Sequence, residues 1–209
     1  SNAGARGVSC FILEKGTKGM HFGKPEEKLG QHAATTTSIM FDDCFIPDSA
    51  RLGSEGQGFV YAMSSLDGGR IGIAAQAVGI ARAAFEAAMD YAAERHAFGQ
   101  AIREFQGVSF KLADMSVNLE AARLLTYKSA WLKDRGYRVT QEASTAKLFA
   151  SEAANKITHA AIQVFGGYGY SKDYPVERYF RDARVTEIYE GASEIQRVVI
   201  SRQIYRDRK

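Results

Sequence analysis

The sequence predicts a mainly α chain in which a short β segment precedes a bundle of long antiparallel helices. Three observations carry this. Near Gly58 the apolar period changes from partly alternating, β-branched stretches ("VSCFILE", "TTTSIMFDDCFIP") to a three-to-four spacing. The stretch after Gly58 is alanine-rich and far too long for a strand. The long periodic stretches that follow are separated by short connections carrying Gly136 and Gly166-Gly167, the way antiparallel helices are joined.

The elements follow in order. Ser1-Asn2-Ala3 reads as a scar left by tag cleavage and is set aside, so the chain is expected to start inside a domain. Residues 4–54 read as the C-terminal part of a larger β domain. Two to four strands fall between residues 8 and 46, with turn chemistry in "GTKG" and "FGKPEEKLG" and a stop at Pro47. So few strands leave an open edge and an uncovered apolar face, and this truncated segment is expected to be poorly ordered or to pair with another copy. Residues 55–209 read as the helical domain. A first helix runs from Gly58, interrupted at Asp67-Gly68-Gly69-Arg70; a second covers Phe105 to Asp134; a third covers Thr140 to Phe165. A short helix begins after Pro175 and a last one near Ala192, ending at about Arg206.

Bulk properties narrow the function. The mixture of 45% hydrophobic and 24% charged residues is that of a globular protein. A net charge of +3 is too weak to argue for nucleic acid or a membrane surface. No unbroken apolar run of about 18 residues spans a bilayer, and no signal peptide is evident. Cys10 and Cys44 lack metal-ligand spacing and imply a reducing compartment without disulfides. His21, His32, His96 and His159 show no ligand spacing either, so no metal is expected.

Four stretches could carry chemistry, each with a plainer alternative. In "ERHAFGQ", Arg95 could reach a phosphate with Phe98 against a flat ring, or Arg95 and His96 could favour a helix C-terminus closed by Gly99. In "QVFGGYGY", closely spaced glycines could admit a pyrophosphate or simply stop a helix; the stretch follows a helix and lacks the Rossmann spacing. In "LDGGR", two glycines within a helix cost about 1 kcal/mol each against alanine, which suggests either a close neighbour or a kink, and Asp67 could pair with Arg70 three residues on. In "IYEGASEIQR", Glu190 could be a catalytic carboxylate or an acidic residue favouring a helix N-terminus.

Taken together and in order, "LDGGRIGIAAQAVGIA", "ERHAFGQ", "FQGVSFKLADM", "AKLFASEAA", "QVFGGYGYSKDYPVERYFRDAR" and "IYEGASEIQR" resemble the flavin-dependent acyl-CoA dehydrogenases, most nearly those acting on short or short branched acyl chains. The resemblance implies the family's C-terminal four-helix bundle preceded by a truncated remnant of its middle β domain, with the N-terminal domain absent. It implies FAD as cofactor, an acyl-CoA substrate, electron-transfer flavoprotein as partner, and a homotetramer when intact, without nucleic acid or membrane. The compartment would be cytoplasmic in a bacterium and the mitochondrial matrix in a eukaryote.

Residue by residue, Glu190 matches the catalytic base, its N–H a donor to the thioester carbonyl, and Gly191 the path of the acyl chain. Arg95, Phe98 and Gln106 match flavin contacts, as do Ala192, Ser193 and Glu194. Gln163, Gly166 and Gly167 match the stretch holding the nucleotide end of a neighbouring subunit's FAD, and Asp67 and Arg70 match positions near CoA. Relatives that carry the base on the first bundle helix have it where this chain has Gly69, which cannot serve. The family usually reads Glu-Gly-Thr-Ser where this chain has Ala192, a lost hydroxyl worth about 1 kcal/mol of cofactor binding. An oxygen-using oxidase of the same fold, and an inactive oligomerisation module, are the competing readings.

Overall fold

The computed structural model describes residues 3–206. Their elements run β1 (Cys10–Phe11), β2 (Met20–Phe22), β3 (Ile39–Phe41), β4 (Arg51–Leu52), α1 (Gly58–Glu94), β5 (His96–Ala97), β6 (Gln100–Ala101), α2 (Gln106–Asp134), α3 (Thr140–Phe165), α4 (Val176–Arg184) and α5 (Ser193–Arg206). The chain divides into two compact units between Leu66 and Asp67, inside α1. The start of α1 is tied into the first unit, where Gly58 N–H donates to Val8 C=O (2.8 Å).

In the first unit the strands are shorter than the sequence pattern implies. β1 pairs antiparallel with β4, and β2 with β3. The segment expected to be disordered or to seek another copy thus finds its pairing within itself, because the chain doubles back at residues 23–38 and again before Arg51. Its apolar side chains stay uncovered all the same: Ile12, Phe41 and Phe45 are exposed.

In the second unit several helix ends agree with the sequence, and the expected interruption of the first helix does not. α2 closes with Gly136 N–H donating to Lys133 C=O, α3 spans the expected residues, and Pro175 precedes α4. The expected interruption at Asp67-Gly68-Gly69-Arg70 is absent; α1 is continuous through it. Glycine raises the cost of a helix without forbidding it, and tertiary packing decides.

That packing is made of small side chains. Ala74, Ala77, Ala81, Ala84, Ala88 and Ala92 form a buried stripe at three-to-four spacing along α1. They share one core cluster with Met115 and Leu119 of α2 and Ala146, Ala150 and Ile157 of α3. By length and composition α1 is apolar enough to cross a bilayer, with mean hydropathy 1.3 over its best window, although no unbroken apolar run exists. Its alanine stripe is instead buried in one cluster with residues of α2 and α3, the one-sided pattern of a bundle helix. α3 is buried over much of its circumference, including Ala143, Ser144, Lys147, Ser151 and Thr158.

Alanine at these contacts leaves no room for a larger group. Ala146→Leu, at a fully buried site, is expected to lower unfolding free energy by about 1–3 kcal/mol in urea titration.

Candidate active site

The connection from α4 to α5 builds one end of the second unit. A 3₁₀ turn at Val185–Glu187 follows α4, and the N–H groups of Ile188 and Tyr189 both donate to Val185 C=O (2.9 and 3.1 Å). The backbone then turns left-handed at two consecutive residues, Glu190 (φ 55°) and Gly191 (φ 89°). Glycine takes this conformation freely; for Glu190 it costs about 1–2 kcal/mol. Two buried side chains hold the turn. Gln196 Nε2 donates to Glu190 C=O (3.0 Å) and Gly191 C=O (2.8 Å), and Lys147 Nζ donates to Gly191 C=O (2.8 Å).

The turn aims the Glu190 carboxylate at α1. A Cβ added to Gly69 would stand 2.8 Å from Glu190 Cδ and 3.2 Å from Oε1, and nearer still to Oε2. One added to Gly68 would stand 2.5 Å from Lys133 Nζ. The two helical glycines therefore mark close neighbours, not a kink. Glu190 and Gly69, the two positions at which the family resemblance implies a base can sit, meet at one point in space. Glu190 as a residue is half-buried, and its backbone N–H has no acceptor among the described residues.

Around this carboxylate the other expected residues fall into different roles. Asp67 and Arg70 pair with each other (2.9 Å), and Thr140 Oγ1 donates to Asp67 Oδ2 (2.7 Å). Arg70 is buried and its Nε has no partner among the described residues. Ala192 accepts from Gln196 N–H, Ser193 Oγ is buried without a partner among the described residues, and Glu194 is exposed. Tyr189 OH donates to Gln76 Oε1, and burial raises its pKa, partly offset by that bond.

A second group gathers at the far end of α1. The helix stops at Glu94, and "RHAFGQ" forms a hairpin, β5 against β6, turned by Phe98 (φ 49°) and Gly99 (φ 84°). Two successive left-handed residues are the geometry of a type I′ turn. Gly99 thus belongs to a hairpin, and the expected helix C-cap is not formed; the ladder between His96 and Ala101 competes with another helical turn. Phe98 stands 97% exposed at the tip. Beside it lies a cleft of about 460 Å3 lined by Tyr91, Arg95, Val164, Gly166, Gly167 and Tyr168. Arg95 lies 5.8 Å from the Tyr168 ring centroid. Gly166 and Gly167 have open space where a Cβ would be, whereas Gly169 is pressed against Ile162 C=O. Gln163 and Gln106 are exposed, the latter opening α2.

The structure therefore joins Glu190, Gly191, Ala192 and Ser193 to Asp67 and Arg70 at one end, and Arg95 to Gly166 and Gly167 at the other. From Gly69 to Glu94 the helix rises about 38 Å, so the two groups do not meet within one chain. Sequence reasoning missed Lys147, Gln196 and Gln76. Lys147 did carry a signal, a lone cation within the small-residue stretch "TAKLFASEAA".

Comparison with known proteins identifies the scaffold. The family described as "Acyl-CoA dehydrogenase, C-terminal domain" matches residues 56–205. The chain belongs to the acyl-CoA dehydrogenase family. Among curated acyl-CoA dehydrogenases it is 54% identical to the short-chain specific enzyme of Clostridium acetobutylicum, over 97% of this chain and 54% of that protein. It is 53% identical to the mitochondrial short-chain specific enzyme of Rattus norvegicus, over 96% of this chain and 49% of that protein. Butyryl-CoA dehydrogenase from Megasphaera elsdenii superposes with a TM-score of 0.96 at 48% identity, covering 98% and 54% of the two chains. A chain in a structure described as the electron transferring flavoprotein of Acidaminococcus fermentans superposes with a TM-score of 0.97 at 50% identity, covering 98% and 54%. PigA with FAD and proline gives 0.94 at 33% identity, covering 98% and 53%. The chain spans about half the length of the curated relatives it matches.

Lys147 offers a test that needs no turnover. It is fully buried, and burial pulls its pKa below the usual lysine value. The Glu187 carboxylate opposes that shift, Arg70 adds to it, and Glu190 and Glu194 oppose it more weakly. A lysine whose folded pKa is depressed costs stability below that pKa. The cost is relieved as pH rises towards about 10.4, where the unfolded lysine also loses its proton. Lys147→Met is expected to be as stable as wild type or more so at pH 7, with its advantage shrinking as pH approaches 10. Urea titrations across that range measure the difference.

Proposed function

We propose that the full-length protein catalyses α,β-dehydrogenation of a short or short branched acyl-CoA, with Glu190 as the base. The observation that carries this is the Glu190 carboxylate, held over Gly69 by a left-handed turn. An acyl-CoA α-proton is barely acidic, so its removal needs a carboxylate at contact distance and a donor for the enolate oxygen that develops. Glu190 supplies the carboxylate. Its N–H, without an acceptor among the described residues, can donate to the thioester carbonyl, and Gly191 is assigned to the path of the acyl chain. Glu190 removes the α-proton and keeps it on its carboxyl group.

The residues present fit a flavin dinucleotide. Gly166 and Gly167 leave an open backbone surface for a pyrophosphate, Arg95 brings a cation beside it, and Phe98 offers an exposed flat ring. At the other end Ser193 keeps a buried hydroxyl without a partner among the described residues. FAD, when bound, takes up the hydride from the β-carbon. Gln106, Gln163, Ala192 and Glu194 are likewise assigned to FAD, with Gln163, Gly166 and Gly167 serving the copy bound by a neighbouring subunit. Asp67 and Arg70, paired and half-buried or buried, are assigned to shaping the wall near CoA, not to a free charge offered to it.

Electron-transfer flavoprotein is the proposed acceptor and a homotetramer the proposed assembly. Support for self-association comes from α2, where Phe110, Val117, Leu124 and Trp131 recur every seven residues and are all exposed, with Tyr127 beside them. An apolar seam at that spacing suits a facing helix of another copy. The bacterial cytoplasm or the mitochondrial matrix is the proposed compartment, and residues 4–54 and 55–209 are the proposed parts of the middle and C-terminal domains.

Two substitutions test the reading in the protein at the length of its relatives. Glu190→Gln is expected to lower kcat on butyryl-CoA by about 10²–10⁴-fold while flavin stays bound. Retained turnover would remove Glu190 from the mechanism, and hydrogen peroxide from the wild type would make it an oxidase. Gly69→Ala separates geometry from stability. Alanine favours the helix by about 1 kcal/mol, yet its Cβ would displace the carboxylate. Melting temperature is expected to hold or rise while kcat falls.

A further inference from the structure

Lys147 has no part in the chemistry so far described, and its position is costly. It is the largest fully buried side chain among the described residues, and its buried neighbours within a turn of α3 are alanine and serine. A buried ammonium is generally no better for stability than an apolar side chain of the same shape. Its acceptor does not require it either. Gly191 C=O already accepts from Gln196 Nε2 at 2.8 Å, so removing Lys147 would leave no buried carbonyl without a donor.

What Lys147 adds is direction. Glu190 and Gly191 are gripped from α5 by Gln196 and from α3 by Lys147, while the Glu190 carboxylate abuts α1 at Gly69. Gln196 follows the turn by only six residues and belongs to the same stretch of chain. A grip from that stretch alone would let turn and helix shift together. Lys147 reaches across from α3, which packs on α5, and ties the turn to the core that also carries α1. The positive charge lies among Glu187, Glu190 and Glu194, with the Arg70 guanidinium opposing it.

We propose that Lys147 is a positioning residue for the Glu190 base, acting through the Gly191 carbonyl to hold the left-handed turn against the bundle. The inference rests on the reading of Glu190 as the base. A group placed this way acts on the geometry of proton removal and not on substrate affinity.

The experiment uses the full-length flavin-loaded protein with butyryl-CoA as probe. Lys147→Met is expected to lower kcat by about 10-fold to 100-fold, the scale of a misplacement near 1 Å, with KM and flavin content close to wild type and no fall in melting temperature. Lys147→Ala is expected to regain activity, saturably, on adding propylammonium, which a merely structural loss would not do. Gln196→Met provides a second arm if either variant folds poorly. Because both side chains hold one carbonyl, the Lys147→Met, Gln196→Met pair is expected to depart from the product of the single effects. Unchanged kcat in Lys147→Met, a KM effect alone, or independent multiplication of the two substitutions overturns the inference while leaving the proposed function standing. A wild type that turns over no acyl-CoA overturns both.

Discussion

The second unit depends on how little space its side chains occupy where its helices meet. Alanines of α1 and α3 are buried at or near zero exposure, and nothing larger than a hydroxyl separates much of the α3 surface from its neighbours. Close approach of this kind stabilises through many small contacts and transmits position faithfully, because a tightly packed interior yields little. Gly69 is the limiting case of the same rule. There the neighbour is no apolar side chain but the Glu190 carboxylate, and the helix gives up about 1 kcal/mol of propensity for the contact. If Glu190 is the base as proposed, the spacing of α1 from the turn before α5 is a chemical distance as well as a packing distance.

The turn itself carries the matching strain. A glutamate in the left-handed region persists only where its surroundings over-determine it. Here three donated hydrogen bonds reach two consecutive carbonyls, from side chains that are both fully buried. Gly191 makes the second left-handed residue inexpensive, so the strain is confined to the one residue whose direction matters. The geometry gives Glu190 a fixed heading without placing it inside a helix, where its N–H would be committed to the chain.

Much of this was legible from the sequence. The helix ends were, because Gly136, Gly166 and Pro175 act locally. So was the importance of Gly68 and Gly69, since two glycines in a helix demand a reason. Which reason could not be read: a kink and a close neighbour leave the same local pattern, and only Lys133 and Glu190, distant in sequence, decide between them. The same limit hid the hairpin at residues 96–101. A cation, an aromatic and a glycine after a helix fit a C-cap as well as a type I′ turn, and the difference lies in whether Ala101 pairs back onto His96. Lys147 was passed over because its partner is a backbone carbonyl, which has no signature in sequence at all.

The length of α1 leaves a final constraint. The carboxylate end and the cleft end are separated by about 38 Å of rise along one continuous helix, longer than an extended dinucleotide. One flavin cannot therefore touch both ends of the same chain. Either the two ends serve unrelated ligands, or two chains lie so that the cleft end of one approaches the cofactor held near the carboxylate end of the other. The exposed Phe98 favours the second arrangement. A two-residue hairpin tip carrying an aromatic ring has nothing to gain in water, and its only ring neighbour among the described residues is Phe105, edge-on at 6.2 Å. The heptad seam on α2 provides a separate apolar surface through which copies could associate. Under the proposed function, self-association would then complete the site as well as cover apolar surface, and catalytic competence would depend on assembly.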